Sequence, residues 1–170
     1  MMEWLVLVVV VVVGLFLVTA LFGAPYLPSK YSDAVEAFEK LCPSIRRDVV
    51  VDFGCGDGVV LLAATKAGVK RAVGFELNPL LVVLAKLRCR KNRRVQVRLG
   101  NMLSAKLPED MTVAYVFGLD RVMRMLKPRL AAYAKEQKRD IFVISLAFRF
   151  EGMKPEKVWK AYGLYRICYT

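Results

Sequence analysis

Apolar positions in this chain fall into one long run and a series of short ones. From Trp4 to Gly23 no residue is charged, and Val8–Val13 is an unbroken run of valines. Twenty residues at 1.5 Å rise per residue span about 30 Å, the thickness of a hydrocarbon core. The pattern therefore predicts a membrane-spanning helix within residues 1–23. A cleaved secretory signal and a buried helix are the competing readings. The signal would want a basic leading segment and a small-residue cleavage site, and Met1-Met2-Glu3 carries no Lys or Arg. Two prolines in Gly23-Ala24-Pro25-Tyr26-Leu27-Pro28-Ser29 end the run.

Beyond the linker, short apolar runs alternate with stretches of helical spacing. Apolar residues at 34, 35, 38 and 41 predict a helix over Ser32–Leu41, with Ser32 as its N-cap. The order that follows is strand 49–53, helix 58–67, strand 71–76, helix 79–91, strand 95–99, strand 112–117, a helix over 120–135 interrupted near Pro128, and strand 141–147. Val158–Ala161 and Leu164–Tyr169 flank Tyr162-Gly163 and read as a terminal hairpin turning at those two residues. Alternating strands and helices predict an α/β fold: a doubly wound, mostly parallel sheet covered on both faces, with a C-terminal antiparallel hairpin. The expected division is an anchor over 1–23, a linker and pre-domain helix over 24–44, and one domain over 45–170.

Charge adds an orientation. The net charge is +12, and Glu3 is the only charged residue before Lys30, so the remainder carries +13. The positive-inside rule then puts the N-terminus outside and the domain in the cytoplasm. The cluster Lys86, Arg88, Arg90, Lys91, Arg93, Arg94 suits an anionic lipid surface or a nucleic acid. It lacks the interleaved aromatics that stack on bases, which favours the lipid surface. Cysteines 42, 55, 89 and 168 form no C-x-x-C pair and the chain has no histidine. Zinc ribbons and Cys/His nucleophiles are not supported.

The chemistry concentrates in Val50-Val51-Asp52-Phe53-Gly54-Cys55-Gly56-Asp57-Gly58. An apolar strand running into Asp-x-Gly-x-Gly-x-Gly and then a helix is a turn that brings backbone close to a ligand at a helix N-terminus. The dinucleotide fingerprint is Gly-x-Gly-x-x-Gly; here its third position is Val59, and the flanking Asp52 and Asp57 would repel a pyrophosphate. A second apolar run ends on Glu76, eighteen residues past Gly58, placed to accept hydrogen bonds from ribose hydroxyls. S-adenosylmethionine (SAM) carries two positive groups, a sulfonium and an α-amino group, and suits such carboxylates. Methyl transfer is the predicted chemistry. It depends more on alignment than on a proton-transfer residue, so the missing histidine costs little.

These residues resemble class I SAM-dependent methyltransferases, and among them the membrane-anchored protein-lysine methyltransferases of mitochondria, which act on the adenine nucleotide translocase or the c-ring protein of ATP synthase. Pro25-Tyr26-Leu27-Pro28-Ser29, Asp52–Gly58, Gly74-Phe75-Glu76-Leu77-Asn78-Pro79, Ser145-Leu146-Ala147-Phe148 and Glu151-Gly152-Met153 are similar to segments of that family. Glu-x-Asn-Pro is the most specific of these. The resemblance implies a Rossmann-like fold and a cofactor site of Asp52, Gly54, Cys55, Gly56, Gly58, Glu76, Leu77, Asn101 and Met102. Asp52 would reach the amino group, Glu76 the ribose and Asn101 the adenine amino group, with Leu77 and Met102 flanking the ring. Plain core packing remains the other reading of Leu77 and Met102, and a turn that of Asn101. Val59 and Leu80 depart from the family pattern, and Phe117-Gly118-Leu119-Asp120, which would border the substrate entrance, follows it only loosely.

The expected substrate entrance lies near Phe117, Asp120 and Phe148, with Asp120 either orienting an amine or capping a helix. A lysine of a membrane-associated protein is the leading substrate. A lipid or quinone headgroup, an RNA, and a non-catalytic SAM-binding role are the alternatives.

Overall fold

The computed structural model describes residues 2–22 and 29–170, except for the side chains of residues 11, 12 and 15–22. Its elements are α1 (Met2–Phe22), α2 (Tyr31–Leu41), β1 (Val49–Phe53), α3 (Val59–Ala67), β2 (Arg71–Glu76), α4 (Pro79–Cys89), β3 (Val95–Leu99), β4 (Val113–Val116), α5 (Asp120–Gln137), β5 (Ile141–Leu146), β6 (Lys157–Trp159) and β7 (Tyr162–Ile167).

Among the described residues, no helix is long and apolar enough to cross a membrane. This overturns the single-pass anchor, with its outside N-terminus and cytoplasmic domain, and removes the ground for a membrane surface as partner. The expected break at Gly23–Pro28 lies outside the described residues.

The seven strands form one sheet in the order β3-β2-β1-β4-β5-β7-β6. The first five are mutually parallel, and β7 runs antiparallel to both β5 and β6. Strand order reverses between β1 and β4, which opens a crevice at the carboxyl edge. All five residues of β1, Val-Val-Val-Asp-Phe, are buried, as a central parallel strand covered on both faces requires. Alternation divides them. Val51 and Phe53 pack with Val73, Phe75, Leu126 and Leu130 on the α5 side. Val50 faces Phe38, Leu41, Leu61 and Tyr115 on the α2/α3 side.

Three local expectations change. First, α2 starts at Tyr31 with Lys30 at the N-cap position and no capping side chain, so Ser32 lies inside the helix. Asp33 supplies the first-turn negative charge that the helix dipole favours, and it pairs with Lys160 at 2.9 Å. Second, α5 runs unbroken through Pro128. A proline in a helix interior costs about 3 kcal/mol. Leu126 and Leu130, both fully buried on either side of it, offset that at roughly 1.5–3 kcal/mol each. Third, the hairpin turns at Lys160-Ala161, while Tyr162 and Gly163 belong to β7. Lys160 has φ 50° and lies 4.3 Å over the Trp159 ring. Gly163 serves close packing: a Cβ there would sit 3.0 Å from the Tyr165 ring.

Gly74, in the middle of β2, is where α3 presses closest to the sheet. A Cβ at this position would lie 2.5 Å from Cys55 Sγ and 2.7 Å from Leu61 Cδ1. Gly74→Ala is expected to destabilise the domain by about 1–3 kcal/mol, read as a lower denaturant midpoint with an unchanged slope.

Candidate active site

The loop after β1 has left-handed backbone at alternate positions: Gly54 φ 101°, Gly56 φ 51° and Gly58 φ 81°. Gly58 is also enclosed, since a Cβ there would meet Cys89 Sγ at 3.0 Å and Ala85 Cβ at 3.2 Å. The backbone N–H groups of Gly54 and Cys55 both donate to the Phe75 carbonyl at 3.0 Å, tying the loop to the end of β2. Cys55 contributes backbone only: its side chain is buried against Gly74 and Leu61, and burial pushes the thiol pKa well above its usual value.

Glu76 ends β2 and grips both sides of the crevice. Its Oε2 accepts from the Gly56 N–H at 2.9 Å, and its Oε1 accepts from the Asn78 N–H at 2.7 Å. Asn78 Oδ1 in turn accepts from the Leu80 N–H at 2.9 Å, capping α4 with Pro79 in its first turn. The Glu-x-Asn-Pro segment is thus a clamp and a helix start in one. Asn78 is fully buried, and its Nδ2 has no partner among the described residues.

Asp52 sits just before the loop, 2% exposed, and its Oδ2 has no hydrogen-bond partner among the described residues. Burial, then repulsion from Glu76 and Asp57, holds its carboxyl well above the ordinary carboxylate range. Asp57 is compensated: Arg88 forms an ion pair with it, and its Oδ1 accepts from the Val59 N–H at 3.2 Å. Asp52 is therefore the carboxylate that a cationic group would satisfy. An α-amino group with adjacent ribose hydroxyls fits this arrangement, because carboxylate oxygens retain free lone pairs after one bond each.

Asn101 is exposed beside this crevice, where Gly100 N–H donates to the Glu76 carbonyl at 2.9 Å. Its Oδ1 accepts from the Leu103 N–H at 2.9 Å, so the side chain builds a turn through its oxygen. Met102 is half-buried against the α5-side core, and Leu77 is half-buried next to Glu76.

At the expected substrate entrance, Phe117 and Phe148 pack together with ring centroids 6.1 Å apart. Phe148 is held by Ser145 Oγ, which donates to its carbonyl at 2.6 Å. Leu119 occupies the N-cap position of α5, leaving Asp120 as an exposed first-turn residue, so the capping role does not apply to it. Of the basic cluster, Arg88 is used against Asp57, and Arg94 donates to the Thr65 and Val69 carbonyls.

In the sequence Arg88 is one member of a basic cluster, and nothing there marks the tyrosine beside Asp52. Tyr115 is Asp52's register partner on β4, almost fully buried between Phe38 and Tyr162, with its hydroxyl 3.4 Å from Ser29 Oγ. Burial raises the phenol pKa well above its usual value. A single tyrosine in an apolar strand carries no sequence signal of that pairing.

Comparison with known proteins bears on the same segments. The family model of the ANTKMT methyltransferase domain matches residues 52–157. The chain is 34% identical over 140 residues to a protein-lysine N-methyltransferase of Saccharolobus islandicus (strain REY15A), covering 80% of this chain and 84% of that one. It is 29% identical over 131 residues to a ribosomal protein L11 methyltransferase of Pseudoalteromonas atlantica, covering 73% of this chain and 40% of that one. Among solved structures, an RNA methyltransferase from Salinibacter ruber in complex with S-adenosyl-L-homocysteine superposes with a TM-score of 0.71 at 25% identity, over 85% of this chain and 95% of that one. The Rossmann-like sheet order and SAM as cofactor accord with these matches. Because the family match begins on Asp52 itself and runs through the Glu76 clamp and the Phe117/Phe148 pair to residue 157, the chain belongs to the ANTKMT methyltransferase domain family and is a SAM-dependent methyltransferase.

Proposed function

We propose that this methyltransferase modifies lysine side chains of proteins. The observation that carries the cofactor end of this reading is the buried, unpartnered Asp52 oxygen behind the glycine loop. The support for lysine is the likeness to the Saccharolobus islandicus enzyme. In this reading Asp52 holds the α-amino group of SAM, and the backbone of Gly54, Cys55, Gly56 and Gly58 lines its methionine end. Glu76 takes the ribose hydroxyls. Asn101 Nδ2 turns toward the adenine, which Leu77 and Met102 flank.

When bound, the cofactor supplies an electrophilic methyl group on a sulfonium. The protein's task is to deliver a neutral amine in line with it. Phe117 and Phe148, packed on each other, offer an apolar surface for a lysine stem, and desolvation beside them lowers the ammonium pKa, which favours the nucleophilic form. Asp120, exposed at the rim, accepts a hydrogen bond from the amine and passes its proton to water.

The test is transfer of tritiated methyl groups from SAM into a cell extract, separated afterwards into protein, lipid and RNA. The expected result is label in protein, released as methyl-lysine on hydrolysis. Label confined to RNA would sink the lysine reading. RNA is the second reading because of the Salinibacter ruber structure and the exposed Lys86, Arg90, Lys91 and Arg93.

A further inference from the structure

Beside the substrate entrance a groove of about 690 Å³ runs between α5 and the loop after β5. Its floor is apolar: Met123 and Phe150 are each 2% exposed, and Phe150 packs edge-on against Tyr165 at 5.3 Å. Its walls are charged. Asp120, Arg124 and Lys127 come from α5, and Arg149 and Glu151 from the loop. Lys127 Nζ crosses the groove to the Glu151 carbonyl at 2.8 Å, so the loop is tied to the helix. Arg124 and Arg149 are exposed, and among the described residues neither forms an ion pair.

Position gives these two arginines a use. α5 begins three residues after Phe117, and Arg149 directly follows Phe148. Both segments follow the carboxyl ends of β4 and β5, the edge that also carries Phe117 and Phe148, and Asp120 lines the groove at that end. A guanidinium presents a planar fork of donors that matches a carboxylate in two bonds. The two carboxylates in the lining, Asp120 and Glu151, are both exposed, and the three basic side chains Arg124, Lys127 and Arg149 outnumber them.

We infer that the groove seats an Asp or Glu side chain of the protein substrate, held by Arg124 and Arg149, so that the enzyme selects lysines with an acidic neighbour. In an extended peptide, residues two apart share a face and lie roughly 7 Å from each other, which allows one side chain against the aromatic pair and the other in the groove. The inference rests on the protein-lysine reading above.

The experiment compares kcat/KM for two synthetic peptide sets, each with one lysine. One set has glycine and serine flanks; the other has Asp or Glu two to four residues on either side. With the wild-type chain the acidic set is expected to be favoured by roughly tenfold at 50 mM NaCl, falling to about twofold at 500 mM as screening shortens the reach of the arginines. In the double variant Arg124→Glu, Arg149→Glu the ratio is expected to drop below one, with SAM affinity and thermal midpoint measured as controls of folding. Equal kcat/KM for the two sets with the wild-type chain, or an acidic preference that survives the double reversal, would overturn the inference and leave the lysine reading standing. If SAM binds but no lysine peptide of either set is methylated, the lysine reading fails and the inference with it.

Discussion

Replacing Glu76 with alanine is expected to weaken SAM binding by about 100-fold or more, measured as Kd by equilibrium dialysis or calorimetry. The side chain accepts from the Gly56 and Asn78 N–H groups at 2.9 and 2.7 Å, bridging the glycine loop and the start of α4. Hydrogen bonds to a charged group are worth about 1.5–3 kcal/mol each. Losing both frees the loop before any contact to the ribose is counted, and about 2.7 kcal/mol already amounts to 100-fold. Glu76→Gln keeps one acceptor and turns the other atom into a donor facing a donor, so an intermediate loss is expected. If Glu76→Ala binds SAM within about threefold of wild type while remaining folded, the clamp is not the cofactor site.

Asp52→Asn is expected to move stability and binding in opposite directions. In the free protein the Asp52 carboxyl is held well above its ordinary value by burial and by Glu76 and Asp57. A group whose pKa is raised by folding stabilises the fold at low pH. That contribution is present below the unfolded value of about 3.9 and is lost as pH rises through the folded value. At neutral pH an ionised Asp52 therefore costs stability until a cation arrives. The asparagine removes that cost, and a thermal midpoint higher by about 3 °C for each 1 kcal/mol recovered is expected without SAM. SAM affinity is expected to fall by at least tenfold, because the α-amino group loses its counter-charge. In the wild type, affinity rises with pH through the Asp52 pKa and levels off above it. A variant with lower stability and unaltered affinity would show that the unpartnered oxygen is structural.

The parts of the site legible in the sequence are the ones the chain makes locally. Three alternating glycines after an apolar strand permit the left-handed backbone found at 54, 56 and 58, which other residues rarely adopt. Asn78-Pro79 starts a helix by capping and by proline's fixed φ, and both act within two residues. Contacts across long separations were not legible. Arg88 reaches Asp57, and Arg129 reaches the Leu103 and Ala105 carbonyls, from elements that only the fold brings together. The misread punctuation has the same cause. Pro128 stays helical and Tyr162-Gly163 stays extended because buried neighbours outweigh local propensity at both places.

Sequence alone determined the strand–helix alternation, the glycine loop, the carboxylates at 52 and 76 and, through them, a site suited to a cationic nucleoside such as SAM. All of these follow from periodicity and local backbone preference. Only the tertiary structure decided that Asp52 is left without a partner among the described residues, that Asp57 is paired with Arg88, and that Glu76 locks the loop before any ligand does. A carboxylate's protonation and its free lone pairs depend on which charges and donors the fold places around it, and those are set by strand register and helix packing rather than by spacing along the chain.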